Sequence, residues 1–352
     1  MPPPPEPPIS RHAFLIGGTG QIGRAAAAAL LDRGWTVALA SRSGAVPDDL
    51  AARGATSVAL DRTRPGALAR ALGGGADLLL DAVAYDAGEA DQLLDVQASI
   101  GHLVAVSSAS VYRDETGRTL DEAIANGFPE LPERMAEAQP VVEPGPATYS
   151  TRKVAMERRL LDGARGNATV LRPCAIHGPH SRHPREWWFV KRLLDGRPRI
   201  PLAFRGASRF HTSAVANIAA LVAAVADAPG VRVLNAVDPD PPSVLEIGRA
   251  IMTALDREAE LVPLPDRGYP PRLGATPWSV PRAFTLCDAA ARAIGYRPVG
   301  GYAETIASTC RWLADGAAGG DWRAAFPALA AYPWDLFDYA REDAWLSGDG
   351  GR

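Results

Sequence analysis

HAFLIGGTGQIGRAAAAALL, residues 12–31, joins a short apolar run to a glycine-rich turn and then to an alanine-rich run that stops at Gly34. Glycines recur at Gly17, Gly20 and Gly23. In a strand–turn–helix context the three allow a tight turn, a close approach of backbone to pyrophosphate, and close packing of helix on strand. Free amides at the helix start, aided by the helix dipole, then suit phosphate. No Gly-Lys-Ser/Thr follows, which excludes a Walker-type phosphate loop. Thr19, Gln21 and Ile22 join the three glycines as expected cofactor contacts.

The same alternation continues downstream. WTVALA (35–40), TSVAL (56–60), ADLLLDAVA (76–84), HLVAVSS (102–108) and ATVLRP (168–173) are apolar runs without polar alternation. Helix-like segments at 65–72, 87–100 and 149–163 separate them. Such runs are buried parallel strands, so the expected class is α/β with a doubly wound parallel sheet. Residues 113–147 form a long polar connection, a length that inside a compact domain signals function or disorder. After residue 174 the regularity weakens, although SAVANIAALVAAVADAPG reads as a helix and VRVLNAV (231–237) as a strand. The expected organisation is a disordered proline-rich leader (1–10), a dinucleotide-binding domain (11–173) and a smaller, mixed substrate-binding region (174–352). Segments at 205–237 are expected to return to the first domain.

Bulk properties narrow the function classes. A formal charge of −3 over 352 residues gives no electrostatic case for nucleic acid. Cys174, Cys287 and Cys310 lie far apart, with neither metal-ligand nor disulfide-framework spacing, which fits a reducing cytoplasm. The opening MPPPPEPPISR lacks a signal-peptide core, and no apolar run approaches the ~20 residues that span a bilayer. The expected partner is a small-molecule substrate, with no membrane and no nucleic acid; a homodimer is left open.

The second strand ends in Ser41-Arg42-Ser43 rather than an acidic residue. A carboxylate there would accept from a ribose 2′-OH, whereas a guanidinium and two hydroxyls suit a 2′-phosphate. NADP(H) is therefore expected over NAD(H).

The chain has 37 basic residues, yet Lys153 and Lys191 are its only lysines. Lys153 follows Tyr149 by four residues, so both lie on one helix face. A phenol titrates near 10 and exchanges protons poorly at neutral pH unless a nearby cation stabilises its phenolate. An ammonium can do that and still hydrogen-bond a ribose; a guanidinium fork is a poor substitute. Tyr149 is thus the expected proton carrier and Lys153 its pKa tuner.

These residues carry a resemblance. GGTGQIG, SSASVY (107–112), YSTRK, LRPCAIHGP (171–179) and GYRP (295–298) are similar to the short-chain dehydrogenase/reductase superfamily, extended type, near the NAD-dependent epimerase/dehydratase group. The resemblance implies a Rossmann-type domain and an NAD(P)-dependent enzyme acting on CH–OH. It places Ser108 with Tyr149 and Lys153 as the catalytic set, with Ser107 and Ser110 as fallbacks. It further implies Asp61 and Arg62 at the adenine end, Ala82, Val83 and Ala84 along the adenosine, and Pro173 to Ile176 near the nicotinamide.

Departures from the group shape the expected activity. Dehydratases would carry an Asp-Glu pair where Ala109 and Ser110 stand, and nucleotide-sugar enzymes an Asn in place of Ala175. The expected function is a reductase or dehydrogenase interconverting a carbonyl and an alcohol on a small organic molecule. An epimerase with tightly bound NAD(P) is the alternative. The segments DAVAYDAGEAD and PREWWFVKRLLDGRP also resemble chloroplast RNA-binding relatives, which keeps a catalytically silent RNA-binding protein in view. His177, Trp187 and Arg209 are candidate substrate contacts. His177, His180 and His183 are spaced three apart, but the Gly178-Pro179 break argues against metal, and none is expected.

Overall fold

The computed structural model describes residues 11–317 and 320–348; the expected leader, 1–10, lies outside the described residues. Seven parallel strands form the central sheet: β1 (His12–Ile16), β2 (Thr36–Ser41), β3 (Thr56–Ala59), β4 (Ala76–Asp81), β5 (Ile100–Val106), β6 (Asn167–Pro173) and β10 (Val231–Ala236). Their spatial order is β10-β6-β5-β4-β1-β2-β3. The order reverses between β1 and β4, and ligands of open α/β sheets bind outside the strand C-termini at such a point. Fold class and sheet type agree with the sequence.

Both faces of the sheet are covered, which explains the unbroken apolar runs. Leu15, Leu39, Leu80 and Val104 pack under the helices Gln21–Leu31 and Val215–Ala226. Phe14, Leu79, Leu103 and Val170 face Leu68, Leu93, Met156 and Leu160 from the helices on the other side. The helix expected over 87–100 stops at Val96; a 3-10 turn covers Gln97–Ser99, and Ile100 already pairs with Ala76 in the sheet.

The remaining strands are short. β7 (Ala175–His177) pairs with β9 (Thr212–Ala214), and β8 (Arg199–Leu202) pairs with β11 (Glu260–Pro263). A further core around Trp187, Trp188, Phe189, Ile247, Trp278 and Leu313 joins the C-terminal helices to the helix Trp187–Leu194. Residues near the C-terminus close over it. The buried Arg192 donates to the Leu336 carbonyl and to Glu342, and its guanidinium lies 3.5 Å from the Trp188 ring centroid.

The connection 113–147 is built around the buried carboxylate of Asp114. That group accepts from the amides of Thr116, Arg118 and Glu130 and from the side chains of Thr116 and Arg118. These donors hold its pKa well below the usual carboxylate range, against the opposing effect of burial. The amide of Arg134 donates to Thr285, and Met135 bridges to Leu286, so the far part of the connection is fastened to the C-terminal region.

Candidate active site

The glycine turn leaves β1 and enters the helix Gln21–Leu31. Gly17 has φ +76°, where a side chain is strained, and a Cβ there would meet Val83 Cγ1 at 2.7 Å. A Cβ on Gly23 would lie 2.4 Å from the Gly17 carbonyl oxygen, so nothing larger lets the helix pack on the turn. At Gly20 the only close atom is the Gly17 oxygen, at 3.3 Å. No side chain caps this helix and no acidic residue stands in its first turn. A cradle of bare backbone at an uncapped, unopposed helix N-terminus fits a pyrophosphate.

Around the cradle, Thr19 is exposed, and Ile22 packs on the core beneath. Gln21 donates to the Gly178 carbonyl, at 3.1 Å, and lines the neighbouring cleft. Arg42 is exposed at the end of β2 and makes no ion pair among the described residues. Ser41 and Ser43 flank it, their hydroxyls 3.3 Å apart. Asp61 follows β3, half-exposed and tied to Thr63 and Arg64. After β4, Ala84 is buried while Val83 is 50% exposed beside Gly17. The buried carboxylate of Asp81 shapes that turn by accepting from the amides of Val83 and Ala84.

Arg62 differs from the expectation. Its guanidinium is turned onto Asp81 (2.7 Å), Gln92 (3.0 Å) and the Glu89 carbonyl, so it holds the end of β4 rather than facing a cofactor.

Tyr149 opens the helix Tyr149–Gly163, whose start is fixed three ways. Thr148 and Thr151 form a capping box, Asp121 accepts from the Ser150 amide at 2.8 Å, and Ser150 Oγ donates to the carbonyl and hydroxyl of Ser110. Ser110 is thereby committed. Ser107 Oγ is buried without a partner among the described residues, and Ser108 accepts from the Ser110 amide. The Tyr149 ring is 42% exposed, but its phenol is enclosed enough that burial pushes its pKa up; the Ser108 hydroxyl opposes this by hydrogen-bonding it.

Lys153 is 5% exposed one turn further on. Its ammonium donates to the carbonyls of Ala84 (2.5 Å), in the turn after β4, and Val106 (2.9 Å), at the end of β5, and lies 5.7 Å from the Tyr149 ring centroid. Burial pushes its pKa down to about 8, against the attraction of Asp81, Glu89 and Glu157. The expected tuning of Tyr149 is therefore corrected: the phenol is raised, because burial dominates and the ammonium is directed at two backbone carbonyls. An ammonium has three donors, so one remains for a further acceptor.

A cleft of about 440 Å³ opens beside these groups. Ser107, Ser108, Ser110, Asp121 and Tyr149 line one part of it; Pro173, Cys174, Ile176, Ser181, Arg182, His183, Arg185 and Phe210 are the others that matter. Along 173–177 the exposure alternates as a strand demands. Cys174 and Ile176 reach the cleft, while Ala175 and His177 are buried on the opposite side.

His177 is thus corrected from a cleft residue to a core one: its Nε2 is 2.9 Å from Asp238 Oδ2 and its ring packs on Tyr302. Trp187 is buried against Phe326 and Arg209 pairs with Glu246 at 3.2 Å; neither lines the cleft. The three histidines diverge, with His180 against Trp312 and His183 against Tyr332. Among the described residues no group of three or more His, Cys, Asp or Glu could hold a metal ion. Nor is any described helix long and apolar enough to cross a membrane. Arg182 and Arg185 do not stand out in the sequence, because in an arginine-rich chain neither their type nor their spacing is distinctive.

Residues 17–151 match a family described as NAD(P)H-binding. The sequence matches no curated protein. Solved structures share the fold at low identity. A UDP-glucose 4-epimerase of Thermus thermophilus in complex with NAD has a TM-score of 0.62 at 20% identity, covering 87% of this chain and 99% of that one. A dTDP-glucose 4,6-dehydratase of Bacillus anthracis in complex with NAD gives 0.64 at 16%, covering 88% and 98%. A UDP-glucuronic acid 4-epimerase of Bacillus cereus gives 0.62 at 14%, covering 86% and 99%.

Proposed function

We propose that this chain, which in fold belongs with the extended short-chain dehydrogenases/reductases, is an NADP(H)-dependent oxidoreductase that interconverts a carbonyl and an alcohol on a small organic molecule. The observation that supports the reading is that Ser108 and Tyr149 line one cleft, with the buried ammonium of Lys153 behind them, 5.7 Å from the Tyr149 ring centroid. The exposed Arg42 between two serines, without an ion pair among the described residues, is the basis for NADP(H) over NAD(H), since a guanidinium complements a 2′-phosphate.

Bound NADP(H) would supply or accept the hydride. In reduction, Ser108 donates a hydrogen bond to the carbonyl oxygen and Tyr149 delivers its phenolic proton to that atom as the alkoxide forms. Lys153 anchors the turn after β4 and the end of β5 and keeps one donor for the cofactor ribose. Ala109 and Ser110 leave the site without the paired carboxylates that β-elimination needs, and buried Ala175 offers no polar side chain to a nucleotide sugar.

The test is NADPH consumption by the full chain against a panel of aldehydes and ketones. Loss of NADPH equal to the alcohol formed supports the reading. Isomerised substrate without net loss points to an epimerase instead, and a salt-dependent shift of RNA without either reaction points to a binding protein.

A further inference from the structure

The charges in the cleft are lopsided. Among the described residues Asp121 is its one carboxylate, whereas Arg182 and Arg185 bring two guanidiniums. Asp121 is partly spent on the Ser150 amide. Neither arginine forms an ion pair or donates a side-chain hydrogen bond among the described residues. Arg182 is exposed, but Arg185 is half-buried, a poor place for an unpaired guanidinium. The carboxylates around Arg185 are otherwise engaged or suppressed. Asp238 serves His177, Thr212 and Asn217, and Glu186 is fully buried, which pushes its acid toward the neutral form. His183 stays neutral and adds no further positive charge: burial, with Arg185 contributing, pushes its pKa down to about 3.

Two unneutralised guanidiniums in one concave site focus positive potential and present fork geometry suited to a planar or tetrahedral oxyanion. We infer that Arg182 and Arg185 form an anion clamp, and that the substrate is a carbonyl or alcohol compound bearing a carboxylate or phosphate. The inference rests on the proposed function for the carbonyl, but the clamp itself depends only on the cleft. The anionic group is held by the segment 181–185 while the reacting oxygen faces Ser108 and Tyr149, so the clamp sets the orientation of the substrate.

The experiment is a calorimetric titration of the NADP⁺-saturated full chain with oxalate and, separately, inorganic phosphate. Saturation keeps the probes from the glycine cradle, and a parallel titration without cofactor covers a chain that fails to bind NADP⁺. The expected result is binding of at least one probe, weakened about tenfold or more by R182Q and by R185Q, as befits loss of a charge-assisted bond. The preferred probe distinguishes a carboxylate from a phosphate substrate. Arg182 is exposed, so R182Q leaves the packing intact, and R205Q, at a remote surface arginine, should change nothing. No binding of either probe, or equal binding by wild type, R182Q and R185Q, overturns the clamp. Anion binding without any NADPH consumption would preserve the clamp while sinking the oxidoreductase reading.

Discussion

Replacing Lys153 by Met should change how stability depends on pH. The folded chain holds this lysine near 8 against an ordinary value of 10.5, so burial disfavours its charged form. Below pH 8 both folded and unfolded chains carry the proton, and the folded state bears the full penalty. Between pH 8 and 10.5 the unfolded chain binds more protons, so stability rises with pH and the penalty disappears. A shift of this size corresponds to about 3 kcal/mol, of which about 2 should be recovered between pH 7.5 and 10. Against this, the Met variant leaves the Ala84 and Val106 carbonyls without their donor, at about 1–3 kcal/mol each. At neutral pH the two effects nearly offset, and K153M should unfold close to wild type. The assay is urea unfolding of both proteins at pH 7.5, 9 and 10. The difference between them isolates Lys153 from other titrating groups, and wild type should gain about 2 kcal/mol on the variant across that range. A gap that stays constant would refute the depressed lysine and, with it, this placement of the ammonium.

Other perturbations probe separate parts of the molecule. Arg42→Asp should weaken NADPH binding by about 100-fold while changing NADH far less, in fluorescence titrations; equal losses would count against the 2′-phosphate role. Glu157→Ala strands the buried guanidinium of Arg172, to which it is bonded at 3.0 Å, and should cost about 3–5 kcal/mol in chemical unfolding. The E157L/R172M double variant should recover most of that loss, since the pair is replaced as a unit. In hydrogen exchange, Leu120 and Asp121 of the long connection and the segment 181–185 should gain protection when an anion joins the cofactor, because both line the cleft. Unchanged protection in both would place the substrate elsewhere.

The central sheet is legible in the sequence because each of its inner strands is buried on both faces and therefore reads as an unbroken apolar run. Small strands escape for the opposite reason. Segments of three or four residues such as Ala175–His177 and Arg199–Leu202, the latter containing Pro201, carry too little pattern to recognise. At the site, local spacing suffices where one helix supplies both groups, as with Tyr149 and Lys153. It fails where direction matters. His177 follows a strand residue that reaches the cleft, yet alternation turns it to the core. Arg62 and Arg209 look like ligand contacts along the chain, but in space each meets a carboxylate that sequence order does not bring near. The sign of the Tyr149 shift is not legible either, because it is set mainly by burial, a property of the folded cleft.

Tyr149→Phe tests the account most directly, because it removes one hydroxyl from the proposed proton path and leaves the cradle untouched. Turnover of NADPH should fall about 10²–10⁴-fold, the usual contribution of a positioned acid, while NADPH affinity stays within about twofold, since the proposed phosphate contacts are the backbone of the glycine turn and Arg42. A variant that keeps its turnover, or that loses cofactor binding in step with activity, would contradict Tyr149 as the proton donor.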